Sequence, residues 1–354
     1  MPELPRRVGR YELLEVLGRG AAGTVYRACQ TDLDRLVAVK ELSLRNDPEI
    51  AQRFLREAQI GGALTHRNIV AVHEYLEHEG GAYIAMELLP RGSLRAHTGQ
   101  VTLAQAGGVL EGVLAALEYA ASRVVHRDIK PDNVLVGDDG KVKLADFGIA
   151  RAIDAAAAGT LTAPGAILGT PAYMAPEQAK GRGIGPWTDL YAAGVIAYEL
   201  LVGDRPRPPA ANQAHELYRL LSEPIRPALE LRPSLDPGLA AWLERMLRPE
   251  PADRYPSAAN AWNELEDHLD RLLGERWLRT SELTAGSELT AEPVHAGPTA
   301  LSPATEQEAR HDSPRRPDDE SRLESTLRPL VRIVVPLALL ALLLAVIALM
   351  IGGG

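Results

Sequence analysis

The sequence predicts an α+β chain of two lobes, a small strand-rich one followed by a larger helical one. Three observations carry this reading. Before residue 90 the apolar residues fall in short stretches with the period of strands, and after it they recur at helical spacing. Between the two, Pro90-Arg91-Gly92-Ser93 interrupts both patterns. With 354 residues, 46% of them hydrophobic, the chain can build one two-lobed core and still carry appendages.

In the small lobe, residues 11–17 approach a glycine-rich turn, 24–28 leave it, and 36–42 alternate β-branched residues around Lys40. Residues 48–64 read as a helix, with Pro48 at its tolerated N-terminal position and Glu57 inside it. Two more strands are predicted at 69–75 and 82–88. The large lobe reads as helices at 103–121, 187–201, 210–221, 238–247 and 257–273. The two lobes are thus expected over 11–89 and 90–273, after an N-terminal tail of residues 1–10.

From 274 to 330 the periodicity fades and Ser, Thr, Pro, Glu, Asp and Arg dominate. Too little apolar surface remains to offset the entropy of ordering, so a disordered juxtamembrane linker is expected. Inside it, Ser281-Glu282-Leu283-Thr284-Ala285 recurs as Ser287-Glu288-Leu289-Thr290-Ala291, a short tandem duplication. Residues 333–351 then carry no charge, and a helix of that length spans about 28 Å against a hydrocarbon core of about 30 Å. A transmembrane helix is therefore predicted at 331–351, with 352–354 as a short outer tail. Arg322, Arg328 and Arg332 precede the uncharged run, so the positive-inside rule gives a single-pass cell-membrane protein whose folded domain is cytoplasmic and whose helix contacts lipid.

The net charge of −9 and the lack of a Lys/Arg cluster argue against nucleic acid as a partner. Cys29 is the only cysteine, which rules out an intrachain disulfide and fits a reducing compartment. The N-terminal residues are basic but no apolar run follows them, so they do not read as a secretory signal.

The chemistry is concentrated in a few short runs. Gly18, Gly20 and Gly23, followed by Val25, would let backbone amides approach phosphate oxygens. Such a pattern alone could equally open a dinucleotide-binding fold, but Thr24-Val25-Tyr26-Arg27-Ala28 reads as strand rather than helix. Lys40 lies in an apolar strand, where an ammonium group is costly unless paired. Farther along stand His126-Arg127-Asp128-Ile129-Lys130-Pro131-Asp132-Asn133 and Asp146-Phe147-Gly148.

Together with Val37-Ala38-Val39-Lys40 and Ala175-Pro176-Glu177, these runs resemble the eukaryotic-like (Hanks-type) serine/threonine protein kinases, especially the bacterial membrane-bound ones. The resemblance covers roughly residues 9 to 270 and implies the bilobal protein kinase fold, with ATP and Mg2+, or Mn2+ in its place, between the lobes. It implies that Asp128 is the catalytic base and that Lys130 meets the γ-phosphate. Lys40 would hold the α/β-phosphates and pair with Glu57, Asn133 and Asp146 would hold metal, and Glu87 would lie in the hinge beside the nucleotide. His126 and Phe147 would be structural, as would Asp189 and a Glu177–Arg254 pair. Lys130 and the run Gly169-Thr170-Pro171-Ala172-Tyr173 resemble the serine/threonine branch, with Thr170 against Asp128.

Arg127 before the base implies activation by loop phosphorylation, for which Thr160 and Thr162 are the candidates; the competing reading is an unmodified Ala-rich insertion. Gly61 and Gly62 depart from the family, which usually has an apolar side chain there, and predict a loosely held Glu57 helix. The expected partners are ATP and cytoplasmic protein substrates. A homodimer for trans-autophosphorylation and a phosphothreonine-binding partner at Thr284 or Thr290 are further expectations. The alternative function is an inactive pseudokinase scaffold.

Overall fold

The computed structural model describes residues 4–20, 23–42, 62–99, 101–147 and 171–283. All of them belong to one compact unit, Met1–Pro298; a second unit, Thr299–Gly354, lies outside the described residues. The helix expected around Glu57, the threonines at 160, 162 and 170, and the span at 331–351 also fall outside them. Among the described residues no helix is long and apolar enough to cross a membrane.

The small lobe is a six-stranded antiparallel sheet of order β1-β2-β3-β4-β6-β5. Its strands are β1 (Arg6–Val8), β2 (Tyr11–Gly20), β3 (Gly23–Gln30), β4 (Arg35–Leu42), β5 (Val72–His78) and β6 (Gly81–Met86). Alternation along β4 explains its two faces. Val37 and Val39 join Tyr11, Leu13 and Tyr26 in one apolar cluster, while Ala38 and Leu42 join Ile84 and Met86 in another that faces the second lobe. The β5–β6 hairpin turns through Glu79 and Gly80, both at positive φ (49° and 77°), the backbone of a two-residue type I′ turn.

β1 corrects the expected N-terminal tail. Val8 is fully buried, and Arg6 reaches Glu41 at 2.9 Å while lying over the rings of Tyr26 and Tyr83. Three residues are too few for a periodic signal, so nothing in the sequence announced this strand.

The large lobe is built on α1 (Leu103–Ala120), a short α2 (Pro176–Ala179), α3 (Pro186–Val202), α4 (Gln213–Ser222), a short α5 (Ala228–Leu231), α6 (Pro237–Met246) and α7 (Ala258–Leu273). Polar caps fix the ends. Thr102 and Gln105 form a reciprocal capping box on α1, Asp236 accepts from Gly238 and Leu239 on α6, and Ser257 accepts from Asn260 on α7. α3 ends at Gly203, in the left-handed region at φ 99°. A small ribbon, β7 (Val134–Val136) with β8 (Val142–Leu144), packs on α1 and carries the segments that enter the cleft. Packing continues past α7 through Leu283, so the first residues of the expected linker are folded.

Candidate active site

The site is assembled from one strand of the small lobe and two loops of the large one. β4 carries Lys40 inward, where it is 4% exposed and its ammonium group meets Asp146 Oδ2 at 2.7 Å. Asp146 follows β8 with a left-handed backbone, φ 66°. Burial alone would raise its carboxyl group, but Lys40, then His126 and Lys130, outweigh that and hold it below the ordinary range. The carboxylate is charged at neutral pH. The Lys40–Glu57 pair lies outside the described residues.

Asp128 lies in the loop between α1 and β7. Its Oδ2 accepts from Lys130 Nζ at 2.7 Å and from Asn133 Nδ2 at 3.0 Å, and Asn133 also donates to the Asp128 carbonyl at 2.7 Å. Both side-chain bonds use one oxygen, so Oδ1 is left for another donor. The loop is fixed from below. Asp189, near the start of α3, accepts the backbone N–H of His126 at 2.7 Å and of Arg127 at 2.8 Å, which holds Arg127 at φ 66°. Burial raises the Asp189 carboxyl group against the opposing pull of His126 and those N–H groups. His126 Nε2 bonds the Ala145 carbonyl at 2.7 Å and its ring meets Phe147 edge-on at 4.6 Å, so it joins the two loops and is part of the frame.

These groups share one cavity of about 1090 Å³ between the lobes. Lys40, Asp128, Lys130, Asn133 and Asp146 line its floor and walls, and Arg127 stands at the same loop. Gly18, Gly20, Gly23 and Val25 line it from β2 and β3, with Gly18 opposite Val25 and Gly20 opposite Gly23 in register. The glycines differ. A Cβ on Gly18 or Gly20 would meet nothing within 4 Å, whereas one on Gly23, at φ 145°, would stand 2.0 Å from the Glu41 carbonyl oxygen. Gly23 is demanded by the neighbouring strand as well as by any ligand.

Glu87 stands at this cavity with its side chain engaged elsewhere. It lines the cavity, but its carboxylate is turned to Lys143 of β8, at 2.6 and 2.8 Å, and accepts the Ala71 N–H at 3.3 Å. The half-buried carboxylate is held by that cation, and the Glu87 N–H is spent on the Ala71 carbonyl at 2.9 Å, so the Glu87 carbonyl is the polar group left over at the cavity.

Other contacts escaped sequence reasoning. Gln178 of α2 donates to the Arg127 carbonyl at 2.8 Å, and Arg95 joins Asp132 and Glu199 at 3.0 and 3.3 Å, with the Tyr173 hydroxyl also on Glu199. Their partners are far apart in the chain, so no local spacing marks them. Arg254 meets Glu177 through two bonds of 2.8 Å and is fully buried, forming the ion pair expected in the large lobe.

The donor set fits a hard divalent cation of the Mg2+ kind. Such ions need one or two protein oxygens when phosphates and water complete the shell. Asp146 supplies a charged oxygen, and Asn133, whose amide nitrogen is spent on Asp128, has its carbonyl oxygen left over. No cluster of three or more His, Cys, Asp or Glu able to hold a metal occurs among the described residues.

The family model of the protein kinase domain matches residues 11–265. The chain belongs to the protein kinase family. Among bacterial relatives, a probable serine/threonine-protein kinase of Streptomyces coelicolor is 41% identical over 287 residues, covering 76% of this chain and 41% of that one. Serine/threonine-protein kinase PknA of Mycobacterium tuberculosis is 40% identical over 261 residues, 70% of this chain and 59% of that one. The kinase thus spans about half the length of these two relatives. The crystal structure of the Mycobacterium tuberculosis PknI kinase domain superposes with a TM-score of 0.59 at 26% identity, covering 75% of this chain and 99% of that one.

Proposed function

We propose that the chain is a serine/threonine protein kinase that transfers the γ-phosphoryl group of ATP to Ser and Thr hydroxyls of proteins, itself included. The observation that carries this reading is the convergence of Lys40, Asp128, Lys130, Asn133 and Asp146 on one cavity under the glycine-rich strands. An inactive scaffold would have no need of that set.

Asp128, with Oδ2 already held by Lys130 and Asn133, orients the acceptor hydroxyl through Oδ1 and takes its proton. The acceptor oxygen bonds to the γ-phosphorus as the bond to the β-phosphate oxygen breaks. Lys130 meets the charge on the transferring group and Lys40 that on the α/β-phosphates. Asn133 and Asp146 hold Mg2+ or Mn2+, which when bound neutralises charge on the phosphate oxygens. Arg127 is the residue to receive a phosphorylated loop threonine, Thr160 or Thr162, and Thr170 is the one to contact Asp128.

The uncharged run at 333–351 supports a membrane anchor with the catalytic domain in the cytoplasm. Phosphorylation of the loop by a second copy would require a transient homodimer. A phosphothreonine-binding partner at Thr284 or Thr290 completes the proposal. The test is transfer of labelled phosphate from ATP by the full chain to itself and to a general protein substrate, with phosphosites mapped by mass spectrometry. Label on Ser and Thr that falls about 10²- to 10⁴-fold in Asp128→Asn supports the reading; equal labelling by wild type and variant overturns it. Alkaline extraction of wild type against Leu343→Arg checks the anchor, since only the wild type is expected to stay in the membrane fraction.

A further inference from the structure

Beyond α7 the chain does not leave the lobe. After Gly274 it turns through Trp277–Thr280, and Ser281, Glu282 and Leu283 lie along α1. Trp277 is buried and its Nε1 donates to Asp270 at 2.9 Å. Leu283 is 3% exposed and is held at both ends of its main chain. Its N–H donates to the Gly140 carbonyl at 3.0 Å, and its carbonyl accepts from Arg91 at 2.6 Å. The Glu282 carbonyl accepts from Gln105 at 3.3 Å.

Three glycines shape this seat. α1 carries Gly107 and Gly108 side by side in its interior, a placement that weakens a helix. A Cβ on Gly107 would stand 2.7 Å from the Trp277 ring, and one on Gly108 2.6 Å from the Ser281 carbonyl oxygen. Gly140, in the β7–β8 turn at φ 75°, would set a Cβ 2.8 Å from the Leu283 carbonyl oxygen. The lobe therefore has a groove cut for close approach of a backbone, and it engages its occupant through that backbone and one buried leucine.

The occupant begins the duplicated sequence. Ser281-Glu282-Leu283 is seated, and Ser287-Glu288-Leu289 offers the same atoms in the same order, six positions on. We propose that the groove formed by α1, the β7–β8 turn and Arg91 is a docking site for the Ser-Glu-Leu-Thr-Ala motif, and that its second copy at 287–291 is the alternative occupant. Exchange of one copy for the other loops out 281–286, a short segment that includes Gly286 and whose closure is entropically cheap. Trp277 stays in place, and the tether leaves the lobe from the same point with its free length shortened by those residues.

The test is amide hydrogen exchange on the full chain, read at Leu283 and Leu289. Its readout is independent of phosphoryl transfer. Leu283→Asp evicts the first copy, because a carboxylate cannot occupy the buried leucine site without a partner. Exchange at the Leu289 amide is then expected to slow at least tenfold relative to wild type. Filling the groove with Gly108→Leu, a change that favours the helix itself, is expected to abolish that slowing in the Leu283→Asp/Gly108→Leu chain. A Leu289 amide that exchanges at its wild-type rate in Leu283→Asp overturns the proposal. So does slowing that persists when the groove is filled.

Discussion

Gly20 and Gly23 share a motif but answer to different neighbours. A Cβ on Gly20 faces open space, so Gly20→Ala is expected to leave stability within about 0.5 kcal/mol of wild type while raising the KM for ATP. Gly23→Ala would force β3 from the Glu41 carbonyl, at an overpacking cost of about 1–3 kcal/mol. Denaturant melts paired with ATP kinetics check both. The Glu177–Arg254 pair is a second residue-scale case. Glu177→Gln leaves the buried guanidinium without its counter-charge, and a loss of about 3–5 kcal/mol is expected in the same melts. Much of the site was legible at this scale because Lys40, Asp128, Asn133 and Asp146 sit in short runs with fixed spacing. The Glu87 carboxylate was not. Its partner Lys143 is 56 residues away, and only the folded ribbon brings the two together.

At the scale of elements, the five longer helices of the large lobe could be read to within a few residues from their apolar period, and Thr102, Asp236 and Ser257 cap three of them as their chemistry dictates, whereas the four-residue helices α2 and α5 are too short to show a period. β1 and the Trp277–Leu283 segment were not readable. The first is too short for periodicity, and the second has the composition of a linker but is anchored by two side chains, Trp277 and Leu283. Gly62 gives the pair of glycines after Glu57 a partner. A Cβ there would lie 2.8 Å from the Tyr75 hydroxyl and 2.9 Å from its ring, so this position is small because β5 presents a large side chain to it. Burial, and then Asp146, push the Tyr75 hydroxyl up to about 12, so it stays protonated. Gly62→Ala is therefore expected to destabilise the wild type but not Tyr75→Val, where the ring that the new Cβ would strike is gone. A double-mutant cycle of unfolding free energies measures the coupling, and additive effects would sink the idea.

For the whole molecule, the buried charges set the response to acid. Burial raises Asp146 and Glu177, but Lys40 and Arg254 outweigh it and leave both below their unfolded values. Their contribution is complete above the unfolded carboxylate value of about 4 and is lost as pH falls toward their folded values. His66 and His73, lowered chiefly by burial, add a loss that begins below the unfolded histidine value of about 6.5. Asp189, raised by burial, binds its proton more readily when folded and acts in the opposite sense. A melting temperature that falls from about pH 6 to pH 3 is expected, with a shallower acid limb in Glu177→Gln. Calorimetry across that range decides.

The strand at Arg6–Val8 closes one side of the six-stranded sheet, and the family match begins only at Tyr11. A version of the chain trimmed to start there would keep every catalytic group, yet it would strip the pairing from Tyr11, Glu12 and Leu13 of β2, lengthening the unpaired edge with free N–H and C=O groups. Such an edge recruits strands from other molecules. The cut protein would then turn cloudy at concentrations where the whole one stays clear, and its faded activity could be mistaken for a weak enzyme.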